Sequence, residues 1–208
     1  MRPLKIIGII VGILSVSLLI YGIGFYEWPR EDPKELYMTT EDGHHVHQCN
    51  LPIFYSIDKN VPEHIAELIK KSFDYWEGLT DKRLFIYSGI DNYDTSDIDT
   101  LNAGIVVIGV ETEIDAHHSS AGGTAQLKWD KKGCIKPELL IKLHKSIMNM
   151  SDELRETVIR HEIGHLLGFK DTNDVKEDLM YRSLVPVYDL KGLSEWELEA
   201  FKIYYGGN

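Results

Sequence analysis

At 208 residues the chain has room for one domain of ordinary size and an appendage, which argues against two large domains. Its 33 acidic residues against 22 basic ones give a formal net charge of −11, which argues against nucleic acid or anionic lipid surfaces as partners. Only two cysteines are present, Cys49 and Cys134, so this is no disulfide-dense scaffold; in an exported compartment a single bridge between them is expected.

Arg2 and Lys5 precede an apolar run, Ile6 to Phe25, with 20 residues and no charge. At about 1.5 Å per residue it spans about 30 Å, one hydrocarbon thickness. Tyr26 and Trp28 suit an interfacial belt, and the basic flank lies on the N-terminal side. The run predicts a single-pass transmembrane anchor over 6–26, with residues 1–5 in the cytoplasm and the rest of the chain outside. Secretion after signal cleavage is the alternative, but no Ala-x-Ala-like site follows the run. Residues 27–48 are charged and polar with no apolar period, and are expected to form a stalk. The cluster of His44, His45 and His47 within it is expected to be solvent-exposed and without a role.

A single domain is expected over 49–208. Leu51, Ile53, Tyr55 and Ile57 alternate as in a strand. Pro62 then opens a helix, with Ile65, Leu68, Ile69, Phe73 and Trp76 on one face and Gly78 near its end. Leu84 to Tyr87 forms a second strand. Ala103 to Val110 is continuously apolar, as in a central strand covered on both faces. Between them, Asp91, Asp94, Asp97 and Asp99 form an acidic loop. Ca²⁺ there is possible but unsupported, because the spacing is not that of a calcium loop. Thr124 to Trp129 and Leu139 to Leu143 are two further strands.

Ser151, followed by Asp152 and Glu153, is a helix start. Leu154, Val158, Ile159, Ile163, Leu166 and Leu167 supply the helix's apolar face. Ser194-Glu195-Trp196-Glu197 is a capping box for a last helix that buries Trp196, Leu198, Phe201 and Ile203 in part. The fold class is α+β: a twisted mixed sheet of about five strands with three helices, preceded by the transmembrane helix.

The chemistry lies in the middle helix, at His161-Glu162-Ile163-Gly164-His165-Leu166-Leu167-Gly168-Phe169-Lys170-Asp171. Histidines four apart share a helix face and can hold one Zn²⁺, with Glu162 beside it as general base. Gly168 sits where the helix can end, letting the chain turn back and bring Asp171 to the metal as a third ligand. Asp174 and Asp178 are rival carboxylates in the same loop, and spacing favours Asp171. Two histidines, one carboxylate and an open position describe a catalytic zinc site rather than a closed structural one.

This run, followed by Leu179-Met180-Tyr181-Arg182-Ser183, resembles the signature of the metzincin zinc peptidases and, within them, the matrixin branch. The match covers about Leu51 to Gly206. Two positions depart from the matrixin pattern: Arg182 stands where Pro is usual, and Asp171 where His is usual. The aspartate is similar to that of the small snapalysin-type members. The resemblance implies a zinc endopeptidase acting on peptide or protein substrates, with Met180 as the hydrophobic floor beneath the ligands. It also implies that Gly123, Thr124 and Ala125 lie on the edge strand lining the cleft, and that Leu184 and Tyr188 belong to the wall of the specificity pocket. The family's Pro-Arg-Cys-Gly latch is absent around Cys49. A zinc-binding interaction module with little or no turnover is the alternative; the intact Glu162 argues against it.

Overall fold

Every strand expected from the apolar pattern is present: β1 (Ile53–Asp58), β2 (Phe85–Asp91), β3 (Ile105–Val110), β4 (Gly123–Trp129) and β5 (Ile135–Leu143). This computed structural model describes residues 32–92, 105–110, 122–172, 178–182 and 192–206. The strands form one mixed sheet in the order β2-β1-β3-β5-β4. β1 is parallel to β2 and β3, and β3 is parallel to β5. β4 alone runs antiparallel, pairing Gly123 with Leu143 and Ala125 with Ile141. Central placement of β3 accords with its continuous apolar sequence, since a strand covered on both faces needs no polar side.

Parallel neighbours need a crossover, and α1 (Glu63–Glu77) supplies one between β1 and β2. Pro62 stands at its N-cap, and Gly78 ends it by donating to the Asp74 carbonyl at 2.9 Å. Ile65, Ala66, Ile69, Ser72, Phe73 and Trp76 form its buried face. α2 (Asp152–Leu166) is capped by the Ser151 side chain, which accepts from Leu154 N–H. From Glu156 to Gly164 every residue of α2 is buried, so it runs through the core rather than along its surface. α3 (Glu195–Tyr205) starts with both arms of the Ser194–Glu197 capping box in place.

Three expectations are corrected. Ile203 faces solvent, and the buried stripe of α3 is Glu197, Ala200, Phe201 and Tyr205. The stalk assignment for 27–48 fails from Pro33 onward. A short 3-10 turn, Pro33–Leu36, begins a strap packed into the fold, with Leu36, Tyr37, Val46 and Gln48 buried. Tyr37 stacks on Phe169 at 4.7 Å between ring centroids, and its hydroxyl donates to the Ala200 carbonyl at 3.0 Å. His47 stacks on Tyr204, so it is not a free surface histidine.

The chain divides at this point into two units, 1–32 and 33–208. The expected anchor, 6–26, and the cytoplasmic segment 1–5 lie outside the described residues. Among those described, no helix is long and apolar enough to cross a membrane. Cys49 and Cys134 form a disulfide with Cα atoms 5.3 Å apart, as expected, which removes Cys49 as a metal latch.

Candidate metal centre

α2 delivers its two histidines from one face, and a tight turn brings the carboxylate back to them. Leu167 is the helix's last cap residue, followed by Gly168 at φ +98°. Gly168 N–H donates to the His165 carbonyl at 2.9 Å and Phe169 N–H to the Gly164 carbonyl at 3.2 Å, the paired bonds of a Schellman stop. The strap closes against this turn. A Cβ on Gly168 would stand 2.0 Å from the Val46 carbonyl oxygen. Gly168→Ala therefore meets both a left-handed backbone and a fixed oxygen, and is expected to destabilise the fold by at least about 2 kcal/mol. Thermal unfolding checks it; an unchanged Tm would refute the account of the turn.

Beyond the turn, Asp171 Oδ1 lies 3.2 Å from His161 Nε2 and 3.5 Å from His165 Nε2. The two imidazole rings stand nearly perpendicular, with centroids 4.7 Å apart. His161 Nδ1 lies 2.9 Å from the Leu179 carbonyl, and His165 Nδ1 lies 2.8 Å from the Phe169 carbonyl. A carbonyl only accepts, so each Nδ1 carries a proton, and in the neutral imidazole each Nε2 presents a lone pair. With both imidazoles neutral, two lone pairs and a carboxylate oxygen converge, a group that could hold a metal ion. This donor set fits Zn²⁺, which takes imidazole nitrogen and carboxylate oxygen and favours histidines oriented through their second nitrogen. Among the described residues it is the one such group. Asp171 is half exposed, so the group opens toward solvent on that side.

The charges of the metal-free site agree with this reading. Burial opposes a charged His161, but its contacts with Asp171 and the Glu162 carboxylate outweigh that and raise its pKa. Burial and the neighbouring His161 push His165 down to about 4. The contact with His161 holds Asp171 below the ordinary carboxylate range, against partial burial. Glu162 is almost fully enclosed, and burial pushes it up to about 7, although His161 works the other way. The Ala125 N–H of β4 donates to the Glu162 carboxylate. A Cβ on Gly123 would stand 2.9 Å from Glu162 Cγ. β4 therefore passes directly along the proposed base. Among the described residues its other side is unpaired, making it an edge strand.

Met180 is fully buried beneath the helix that carries His161 and His165. Its sulfur would lie 2.5 Å from a Cβ on Gly164, so only glycine lets the methionine sit against α2 there. The capping box accounts for only part of what Glu197 does. Its carboxylate accepts from Ser194 N–H at 2.8 Å and also from Leu179 N–H at 3.0 Å and Met180 N–H at 2.7 Å. One side chain thus starts α3 and holds the methionine turn, whose Leu179 carbonyl orients His161. Glu197→Ala strands buried N–H groups and is expected to cost about 2–4 kcal/mol. It is also expected to weaken zinc binding about tenfold through the loosened Leu179 carbonyl. Denaturant unfolding and metal titration read the two effects separately.

The remaining expected residues divide. Asp178 is buried and does not join the His161–His165–Asp171 group. Thr124 contacts His144 Nε2 through its hydroxyl at 3.0 Å. Asp174, Leu184 and Tyr188, and Asp94, Asp97 and Asp99 of the acidic loop, lie outside the described residues; Asp91 ends β2. A comparison with known protein families finds no matching family model, and no curated protein matches the chain in sequence.

Proposed function

We propose that the chain is a zinc-dependent endopeptidase of metzincin type, closest to the matrixins. It would be anchored by its N-terminal apolar run and act on peptides or proteins outside the cytoplasmic membrane. The observation that carries the reading is the enclosed Glu162 carboxylate, set between the His161–His165–Asp171 group and the edge strand β4.

His161, His165 and Asp171 would hold the metal. Zinc bound there would act as a Lewis acid, polarising a carbonyl and acidifying water. Glu162 takes the proton of the attacking water and passes it to the leaving amine. Its enclosure keeps bulk water from the carboxylate and leaves it beside the His161–His165–Asp171 group, where that proton is handed over. The Ala125 N–H fixes the carboxylate against the strand, and the side of β4 that is unpaired among the described residues offers its remaining backbone groups to an extended peptide. Such pairing reads the substrate's backbone and leaves side-chain preference to the pocket wall. Purified full-length chain is expected to carry one zinc and to cleave unfolded protein. Chelation should abolish cleavage and zinc should restore it. Zinc binding without any cleavage would instead support the interaction module.

A further inference from the structure

Asp171 hangs between two clamped peptide units. On one side, Lys170 N–H donates to the Leu36 carbonyl at 2.8 Å, and Met38 N–H donates to the Gly168 carbonyl at 2.9 Å. On the other, Thr172 N–H donates to the Met180 carbonyl at 2.7 Å. The first clamp is the strap. Beyond the Tyr37 contacts, it is tied to the body again at its far end, where His47 N–H donates to the Gly133 carbonyl at 2.9 Å and Ile135 N–H to the His47 carbonyl at 3.0 Å. Gln48 donates through Nε2 to the Leu166 carbonyl at 2.9 Å. Its N–H donates to the Tyr205 hydroxyl at 2.9 Å, which in turn donates to the Leu167 carbonyl at 2.6 Å. The next residue, Cys49, is bonded covalently to Cys134 across 85 positions of sequence.

We infer that the strap 33–49, locked by the Cys49–Cys134 disulfide, is a positioning element that sets metal affinity by placing Asp171. This rests on the reading of His161, His165 and Asp171 as metal ligands. The two histidines ride on a buried helix and need no such help. The carboxylate is half exposed and lies past the helix end, so its position follows the backbone on either side. Without the cross-link the strap is held by non-covalent contacts alone, and its closure over the turn costs more chain entropy. The disulfide thus makes a complete metal centre depend on an oxidising compartment.

The test compares zinc dissociation constants, by chelator competition on the full-length chain, for the wild type, the pair Cys49→Ser/Cys134→Ser, and Met38→Pro. The last keeps the disulfide and removes the donor to the Gly168 carbonyl, together with the Met38 side chain that packs against the core; Met38→Ala, which loses the side chain but keeps the N–H, is its control. The serine pair and Met38→Pro are both expected to bind zinc about 10–100-fold more weakly, the size typical of lost outer supports, with far-UV circular dichroism unchanged. In an Asp171→Ala background the same changes should add little, because the ligand they place is already gone. Affinities within twofold of wild type in both variants would overturn the inference. So would an equal loss in the Asp171→Ala background, which would mark general destabilisation. If the serine pair does not fold, Met38→Pro decides alone. A wild-type chain that binds no zinc would instead remove the metal-centre reading, and the inference with it.

Discussion

Glu162→Gln is expected to lower peptide cleavage by about 10²-fold or more while zinc remains bound. The amide keeps the shape and the burial of the carboxylate, and its oxygen still accepts from Ala125 N–H. What it lacks is a proton-accepting oxygen, so water reaches the scissile carbonyl without being deprotonated. The group's titration gives a second reading. In the metal-free protein, burial pushes Glu162 up to about 7. A cation held by His161, His165 and Asp171 favours the charged carboxylate and must shift that value down. Carboxyl NMR of metal-free and zinc-loaded protein measures the shift, and an upward or absent shift would place the metal elsewhere. Full cleavage by Glu162→Gln would refute the peptidase mechanism.

Asp171→Ala is expected to weaken zinc binding by more than about 100-fold, beyond the 10–100-fold of outer supports, because a direct ligand and its charge are lost. Asp174→Ala should leave the affinity unchanged. Asp178→Ala, at a buried position outside the ligand group, should act on stability rather than on metal. The pH dependence has a definite sign. Contact with Asp171 helps raise the His161 pKa, so in the metal-free wild type that imidazole holds its proton to a higher pH. Zinc must displace the proton, and apparent affinity falls as pH drops through this range. Asp171→Ala removes that support, so zinc binding near neutral pH should release fewer protons. Calorimetry in buffers of different ionisation heat counts them. Asp171→His should restore a three-ligand site with neutral donors and shift the acidic limb of the rate profile downward. Unchanged zinc affinity in Asp171→Ala would remove it as a ligand and weaken the metzincin reading with it.

Local patterns in the chain were enough for the helix starts at Pro62, Ser151 and Ser194, for the five strand segments, and for the stop at Gly168. Each of these rests on residues within one or two turns of one another, whose preferences act before the chain has folded. The pairing of His161 with His165 was legible for the same reason, since four positions on a helix is a geometric identity. Spacing favours Asp171 over its rivals, and the turn at Gly168 brings it within 3.5 Å of both imidazoles. Only the tertiary structure decided the rest. Strap residues 33–48 looked like a stalk because their burial follows no period; it depends on backbone bonds to Gly168, Lys170 and Gly133, more than 80 positions away. Exposure of Ile203 follows from which side of α3 faces the core, which a helix of mixed character leaves open. Glu197 was visible as a cap, but its grip on Leu179 and Met180 required two segments to meet. Gly164 carries no signal at all in sequence; its size matters because Met180 lies against it. These features depend on complementarity between distant segments, and no local propensity encodes which segments will meet.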